Sequence, residues 1–420
     1  MLQDYKDKTL CVVDGGIFLS MAVHLAKYFK KVYYYTEWRV TYPKTNDIMI
    51  GEDIPEIERI NFLFDKIDEI DLFFFPYIYN SDLQLHLESL GKRVFGSRRG
   101  DELELYRVEM KELMKKLELP VNDYKVIKGI DNLRKYLKAN DNKYIKVSFT
   151  RGDFESFKSP SYKLIEPVLD DLAVELGVSK NTKEFIVEEP VNAVSEIGYD
   201  GYCIDGKYPS KGYNGIEIKE CGFITILKDY KDLPKEITEF NEKIAPTFEN
   251  YGYKNFFSTE IRVTDKKKAY MIDFTARLPS PPSELYQLLY ANLPDIIWYG
   301  AEGELIEPET TAKFGVQVTM NCLFADKNPT PIYFPKKYKD NIKLRDYTII
   351  DGITYIIPRK VEQHNIGWVC AVGNTLQEAI DEVKKIGDNI EAYDLKIPYE
   401  ALDKAQKQIK DLEDNGIKMI

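Results

Sequence analysis

AYMIDFTARLPSPPSE, residues 269–284, opens as a strand and stops against prolines. Tyr270 and Ile272 alternate with their neighbours as strand residues do. Asp273, Thr275 and Arg277 then fall at i, i+2 and i+4, positions that share one face of a strand. One surface therefore presents a carboxylate, a hydroxyl and a guanidinium. A second strand, FFSTEIRVT (256–264), precedes it, and DKKK (265–268) reads as the turn of a hairpin. Antiparallel neighbours bring Glu260 onto the same face as Asp273. Two acids on a sheet floor repel each other. A bound Mg²⁺ removes that cost, because it takes oxygen ligands and bridges to phosphates; Mn²⁺ accepts the same donors.

Further from the hairpin, three segments repeat the theme. In YIKVS, Lys146 sits between apolar strand residues, where an unpaired ammonium is costly and an anionic partner such as phosphate relieves it. The loop FTRGDFESF (149–157) follows at once, and Gly152 with its Thr, Arg and Ser neighbours can wrap phosphate through backbone N–H groups. EFIVEEPV (184–191) ends a strand in Glu188, Glu189 and a proline, with Val191 next and Glu196 beyond. Such a backbone can read the edge of an adenine, and the later carboxylate can accept from ribose hydroxyls. Taken singly, each feature has an ordinary explanation: a solvated acid, an edge-strand lysine, an acid-capped strand.

The surrounding chain alternates strands and helices. TLCVV (9–13), a DGG turn, a helical stretch at 17–29 and VYYYT (32–36) form a β–turn–α–β unit, the opening of a doubly wound sheet. DLFFFPY (71–77), a helix near 81–91 and RVF (93–95) continue it. Residues 101–119 read as one helix closed by Pro120, followed by a strand, a helix near 130–139 and YIKVSF. Residues 198–226 form a glycine-containing meander, a helix lies near 235–251, and another follows the prolines at 283–291. Residues 315–373 are mostly strand-like, and TLQEAIDEVKKIGDNI (375–390) is an amphipathic helix. The fold class is α/β (α+β), divided as 1–98, 99–330 and 331–420.

Composition narrows the function. The net charge of −11 over 420 residues argues against nucleic acid as partner, since phosphate backbones are bound by positive charge. Five scattered cysteines without CxxC spacing suggest neither disulfides nor zinc and fit a reducing compartment. No apolar run long enough to span a membrane and no signal-peptide layout is present, so a soluble, cytoplasmic protein is expected. GxxxxGK[ST], GxGxxG, HExxH and GxSxG are absent. His24, His86 and His364 are far apart, and His24 falls in a helix expected to pack into a core.

The order of these features resembles the ATP-grasp superfamily, in particular the phosphoribosylamine–glycine ligases and carboxylase-like ligases. GKRVFGSRRGDELELYRVEMKELMKKLELPVNDY (91–124) resembles the family's approach to its first phosphate-binding lysine, with Arg107 at that place. Lys146 matches the second lysine, Val187 to Val191 the hinge, and Glu196 the ribose carboxylate. Glu260, Asp273, Thr275 and Arg277 match the metal and phosphate hairpin, and IGWVCAVGNTLQEAIDEVKKI (366–386) the C-terminal domain. The resemblance implies a preATP-grasp α/β domain, a two-lobed ATP-grasp domain and a small C-terminal domain. It implies ATP with Mg²⁺, a small-molecule carboxylate and an amine as substrates, an acyl-phosphate intermediate and, from the relatives, a homodimer. Arg107 and Lys146 would meet phosphates, Arg277 the transferring group, Glu188 and Val191 adenine, and Gly152 with its neighbours would close over the nucleotide. Three positions differ in kind: arginine keeps the charge of lysine as a planar fork, Asp273 is shorter than the family's Glu, and Thr275 replaces an amide. A second reading stays open, a fold-keeping protein that senses nucleotide or serves structure without turnover. Substrate contacts are expected from Asp14–Ile17, Tyr77–Asp82, the 198–222 meander and the segment after Arg277.

Overall fold

The computed structural model describes residues 5–36, 49–148, 155–193, 195–264, 268–358, 364–414 and 416–420. The chain forms two compact units. The first comprises Met1–Arg99, Ile197–Thr259 and Thr275–Ile420; the second comprises Gly100–Glu196 and Glu260–Phe274.

The first unit opens with a parallel five-stranded sheet in the order β3-β2-β1-β4-β5. Its strands are β1 (Tyr5–Asp14), β2 (Phe29–Thr36), β3 (Glu58–Ile60), β4 (Leu72–Phe74) and β5 (Arg93–Phe95). Parallel strands are covered on both faces, so they read as unbroken apolar runs, and Cys11, Val13, Phe73, Phe75 and Val94 share one buried cluster. The helix Leu19–Leu25 follows β1 after a turn in which Gly16 has φ of 100°, a conformation open to glycine. This helix is shorter than the 17–29 span anticipated, because Gly15 to Ile17 form the turn itself.

The second unit is built on an antiparallel sheet in the order β6-β9-β7-β8, comprising β6 (Tyr124–Lys128), β7 (Lys143–Val147), β8 (Ser156–Ser159) and β9 (Glu184–Glu188). Ile145, Val147, Phe185 and Val187 point to one face and pack on Leu133 and Leu137 of one helix and Leu169 and Leu172 of another. Strand alternation sends Lys146, Ile186 and Glu188 to the opposite face. The helical span 101–119 is interrupted: Tyr106, at φ −99° and ψ 79°, separates helix Asp101–Leu105 from helix Arg107–Lys116.

The remaining strands are β10 (Ser195–Ile197), β11 (Tyr199–Ile204), β12 (Lys211–Ile218), β13 (Gly222–Asp229), β14 (Lys254–Val263), β15 (Ala269–Thr275) and β16 (Phe314–Cys322). They are followed by β17 (Thr330–Tyr333), β18 (Ile342–Leu344), β19 (Tyr347–Ile350), β20 (Ile353–Ile356), β21 (Asn365–Gly373), β22 (Glu391–Ala392) and β23 (Leu395–Lys396). The large sheet runs β10-β14-β11-β12-β13-β16-β21-β18, with β15 on β14 and β23 on β16. A smaller sheet runs β19-β20-β17-β22. Beside β11 and β12 lies an aromatic core in which the rings of Tyr202, Tyr213, Phe256, Tyr286 and Tyr290 form a chain of contacts. The chain also forms helices Tyr162–Leu176, Leu293–Ala301 and Glu400–Asp414, which periodicity alone did not single out. Among the described residues no helix is long and apolar enough to cross a membrane.

Candidate functional site

Helix Arg107–Lys116 buries Arg107, Met110, Lys111 and Met114, an i, i+3, i+4, i+7 stripe that faces inward. Two of these four side chains are cations. Against them lies the charged face of the second unit's sheet, and Lys146 is 5% exposed and Glu188 only 2%. Charges this deeply buried need partners. Lys111 forms an ion pair with Glu188 at 2.7 Å and donates to Asn122 Oδ1 at 2.7 Å. Lys146 stands 3.8 Å from the same carboxylate and donates to the carbonyl of Ile272. Burial pushes the Glu188 carboxyl up, but Lys146 and Lys111 outweigh it and hold it below the usual range. Burial also lowers the Lys111 ammonium, with Glu188 offsetting part of the effect.

Arg107 spans two acids, Glu155 at 2.7 Å and Asp273 at 3.2 Å. A cleft of about 30 Å³ is left among Glu104, Arg107, Lys111, Lys146, Glu188 and Asp273. That volume has room for ordered water. The cations and acids there offset one another's charge.

The two other acids singled out from the sequence meet a single arginine. Arg262 contacts Glu196 at 2.9 Å and Glu260 at 3.3 Å. Glu260 and Asp273 lie on paired strands and supply the oxygen donors that a hard divalent cation takes. Among the described residues no three acid, histidine or cysteine side chains are grouped to hold a metal by themselves. Two carboxylates with phosphate oxygens and waters completing the shell is the arrangement Mg²⁺ favours, so the donor set fits. Val191 is half-buried beyond the end of β9, and its carbonyl accepts from Ala193 N–H at 2.9 Å. Gly152 lies outside the described residues.

Thr275 and Arg277 belong to the first unit, where a separate polar cluster forms. The Arg277 guanidinium lies 5.3 Å from the centre of the Tyr77 ring. That ring also passes over Gly15 so closely that a Cβ there would meet it at 3.0 Å. Asp14 closes β1 fully buried, accepting from Tyr34 Oη at 2.8 Å and Phe18 N–H at 2.9 Å; burial pushes its carboxyl up against these bonds. The proline segment contains cis bonds at Ser280–Pro281 and Pro281–Pro282 and leads into helix Ser283–Leu289. Buried Glu284 on that helix accepts from Ser280 Oγ and from Gln317 Nε2 at 3.3 Å, and Arg345 donates to Ser280 Oγ at 2.6 Å.

Six participants were not found from sequence: Lys111, Asn122, Glu155, Arg262, Glu284 and Arg345. Lys111 had a readable signal, since it lies one helical turn after Arg107 on the apolar stripe. Glu284 and Arg345 had none, being brought together only by the fold. In the 198–222 meander, which was expected to supply substrate contacts, Asp200 is instead packed in the aromatic core, accepting from Ser258 Oγ at 2.7 Å.

No family model matches the chain, and no curated protein matches it. Solved structures do. Phosphoribosylamine–glycine ligase of Thermotoga maritima superposes with a TM-score of 0.68 at 16% identity, over 93% of this chain and 98% of its own. The biotin carboxylase domain of Hydrogenobacter thermophilus 2-oxoglutarate carboxylase, solved with MgADP, ADP and bicarbonate, gives 0.64 at 13% identity, over 98% and 96%. N5-carboxyaminoimidazole synthetase of Staphylococcus aureus, complexed with ADP, gives 0.58 at 14%, over 91% and 97%. The chain has the ATP-grasp fold along nearly its whole length.

Proposed function

We propose that the protein binds ATP with Mg²⁺ through the second unit and joins a small-molecule carboxylate to an amine by way of an acyl phosphate. The observation that carries this is the buried trio Arg107, Lys111 and Lys146, held in place by carboxylates that a polyphosphate would replace. Phosphoryl transfer asks a protein for positioning and charge neutralisation more than for covalent chemistry. Arg107 and Lys146, with Lys111 behind them, neutralise the phosphates. Glu188 holds the lysines through its carboxylate until phosphates take its place, while its backbone and Val191 line the adenine and Glu196 takes the ribose. Glu260 and Asp273 would hold the divalent cation, Mg²⁺ or Mn²⁺, which would supply positive charge to neutralise phosphate; Thr275 joins them on the resemblance alone. The γ-phosphoryl would pass to a carboxylate oxygen, releasing ADP; a role for Arg277 in that step rests on the resemblance alone. The amine nitrogen then attacks the acyl carbon and inorganic phosphate leaves.

The test is thermal. ATP with Mg²⁺ should raise the melting temperature by linkage, and Lys146→Ala or Asp273→Ala should abolish the rise. An unchanged melt for the unmodified protein would remove the nucleotide site.

One observation supports a second reading, nucleotide binding without turnover. Arg262 sets a fixed positive charge beside Glu260, and a like charge opposes a cation there. ADP release with mixed carboxylates and amines separates the two; binding without release favours the second.

A further inference from the structure

A cavity of about 530 Å³ in the first unit shares no residue with the charged cleft. Its size falls within the about 300–1,000 Å³ of small-molecule sites. Val23, Ile54, Ile332, Phe334, Ile349 and Ile353 form an apolar wall. Two buried nitrogen-bearing side chains interrupt it. Lys343, in the middle of edge strand β18, is 4% exposed, and His24, on helix Leu19–Leu25, is 7% exposed.

His24 lacks the partners its burial demands, and Lys343 lacks a paired acid among the described residues. Neither ring nitrogen of His24 has a hydrogen-bond partner. Among the described residues Lys343 makes no ion pair, and Asp340 and Glu284 act on it only through their fields. The other charges at the cavity are already matched: Lys27 pairs with Asp340 at 2.5 Å, and Lys339 pairs with Glu56. Lys336 is exposed and solvated. Burial pushes the Lys343 ammonium down to about 8, and burial with the nearby lysines pushes the His24 imidazolium down as well. One cation and one neutral ring with a spare N–H therefore face an apolar chamber.

We propose that this cavity binds a small amphipathic monoanion, an aliphatic or aromatic body against the apolar wall with a carboxylate accepting from Lys343 and His24. Buried donors left without acceptors cost free energy that such a head group recovers. A single negative charge is the match, because the rim lysines are spent on Asp340 and Glu56 and a second charge would be buried unpaired. An amine would repel Lys343, and a neutral tail would leave both donors unsatisfied.

The experiment is isothermal titration of the full chain at neutral pH with octanoate, 4-phenylbutyrate, 1-octanol and octylamine. Saturable one-to-one binding of at least one carboxylate is expected, at least ten-fold tighter than octanol, with no binding of the amine. Lys343→Met should weaken the carboxylate at least ten-fold and leave octanol unchanged. His24→Leu should weaken it by a smaller factor, and serves as the reading if Lys343→Met does not fold. Ile353→Trp, which fills the chamber, should remove every ligand. Equal affinity for octanoate and octanol, carboxylate binding unaltered in the variant that is read, or no saturable binding to the unmodified chain would each overturn the proposal.

Discussion

At residue scale, Lys111 is held where an ammonium is otherwise unwelcome, by Glu188 at 2.7 Å and Asn122 at 2.7 Å. Removing one partner of a buried pair leaves the other charge stranded, typically at about 3–5 kcal/mol. Lys111→Met should therefore destabilise the chain in urea unfolding, by up to about 3 kcal/mol because Lys146 still faces Glu188, and adding Glu188→Leu with Lys146→Met should recover much of the loss. A triple variant no more stable than the single one would show that the charge cluster is not the cause. Asp200 gives a second residue-scale prediction, about pH. Burial pushes its carboxyl up to about 7 from 3.8, with Ser258 offsetting part. Between those values the folded chain keeps a proton that the unfolded chain has released. Stability contributed at this site must then fall as pH rises through the window and level off above it. The full span is on the order of 4 kcal/mol at most. Asp200→Asn should flatten that part of the profile in urea unfolding across a pH series; parallel profiles for the two proteins would refute it.

At the scale of elements, what is local in sequence was legible and what the fold assembles was not. Helix Leu376–Gly387 begins with a capping box: Glu378 N–H donates to Thr375 Oγ1 at 3.2 Å, and Thr375 N–H donates to Glu378 Oε2 at 3.1 Å. Both partners lie within one turn, so the helix at 375–390 could be read from the chain. Thr375→Ala should cost about 1 kcal/mol, measured as a lower denaturation midpoint with unchanged slope. A shift no larger than that of an exposed control in the same first turn, such as Gln377→Ala, would refute it. The β1–turn–helix–β2 unit was legible for the same reason, and so was the hairpin that pairs Glu260's strand with Asp273's. Helix Tyr162–Leu176 was hidden by Pro167, which ordinarily argues against a helix interior. Helix Glu400–Asp414 was hidden by a buried stripe that includes two small alanines, Ala401 and Ala405. Glu284 and Arg345 sit on elements far apart in the chain, and no local pattern links a helix residue to the end of an edge strand. Arg262 was read as one more strand residue, since only the pairing of strands reveals the two acids it joins.

At the scale of the whole molecule, the two units differ in how the chain builds them. The second is nearly continuous, with its own core of Leu133, Leu137, Ile145, Leu169 and Phe185. The first gathers three separate segments, and both strands of the β14–β15 hairpin carry the chain from one unit's span into the other's. A ligand that binds one unit should leave its mark there, because amides exchange through local openings of unequal cost. The proposed nucleotide site gathers its cations from helix Arg107–Lys116 and from β7, with β9 and β15 supplying acids. Hydrogen exchange with and without ATP and Mg²⁺ should therefore slow in peptides covering 107–116, 143–147, 184–188 and 269–275. Locally exchanging amides of helices Leu19–Leu25 and Leu376–Gly387 should be unaffected. At a hundred-fold excess over the dissociation constant, linkage adds about 2.7 kcal/mol to the stability of whatever must open to release the ligand. The buried cations act on phosphate, so protection should follow phosphate count, with ATP and ADP strong, AMP weak and adenosine negligible. Adenosine protecting as well as ATP would place recognition on the base and deny Arg107, Lys111 and Lys146 their proposed role.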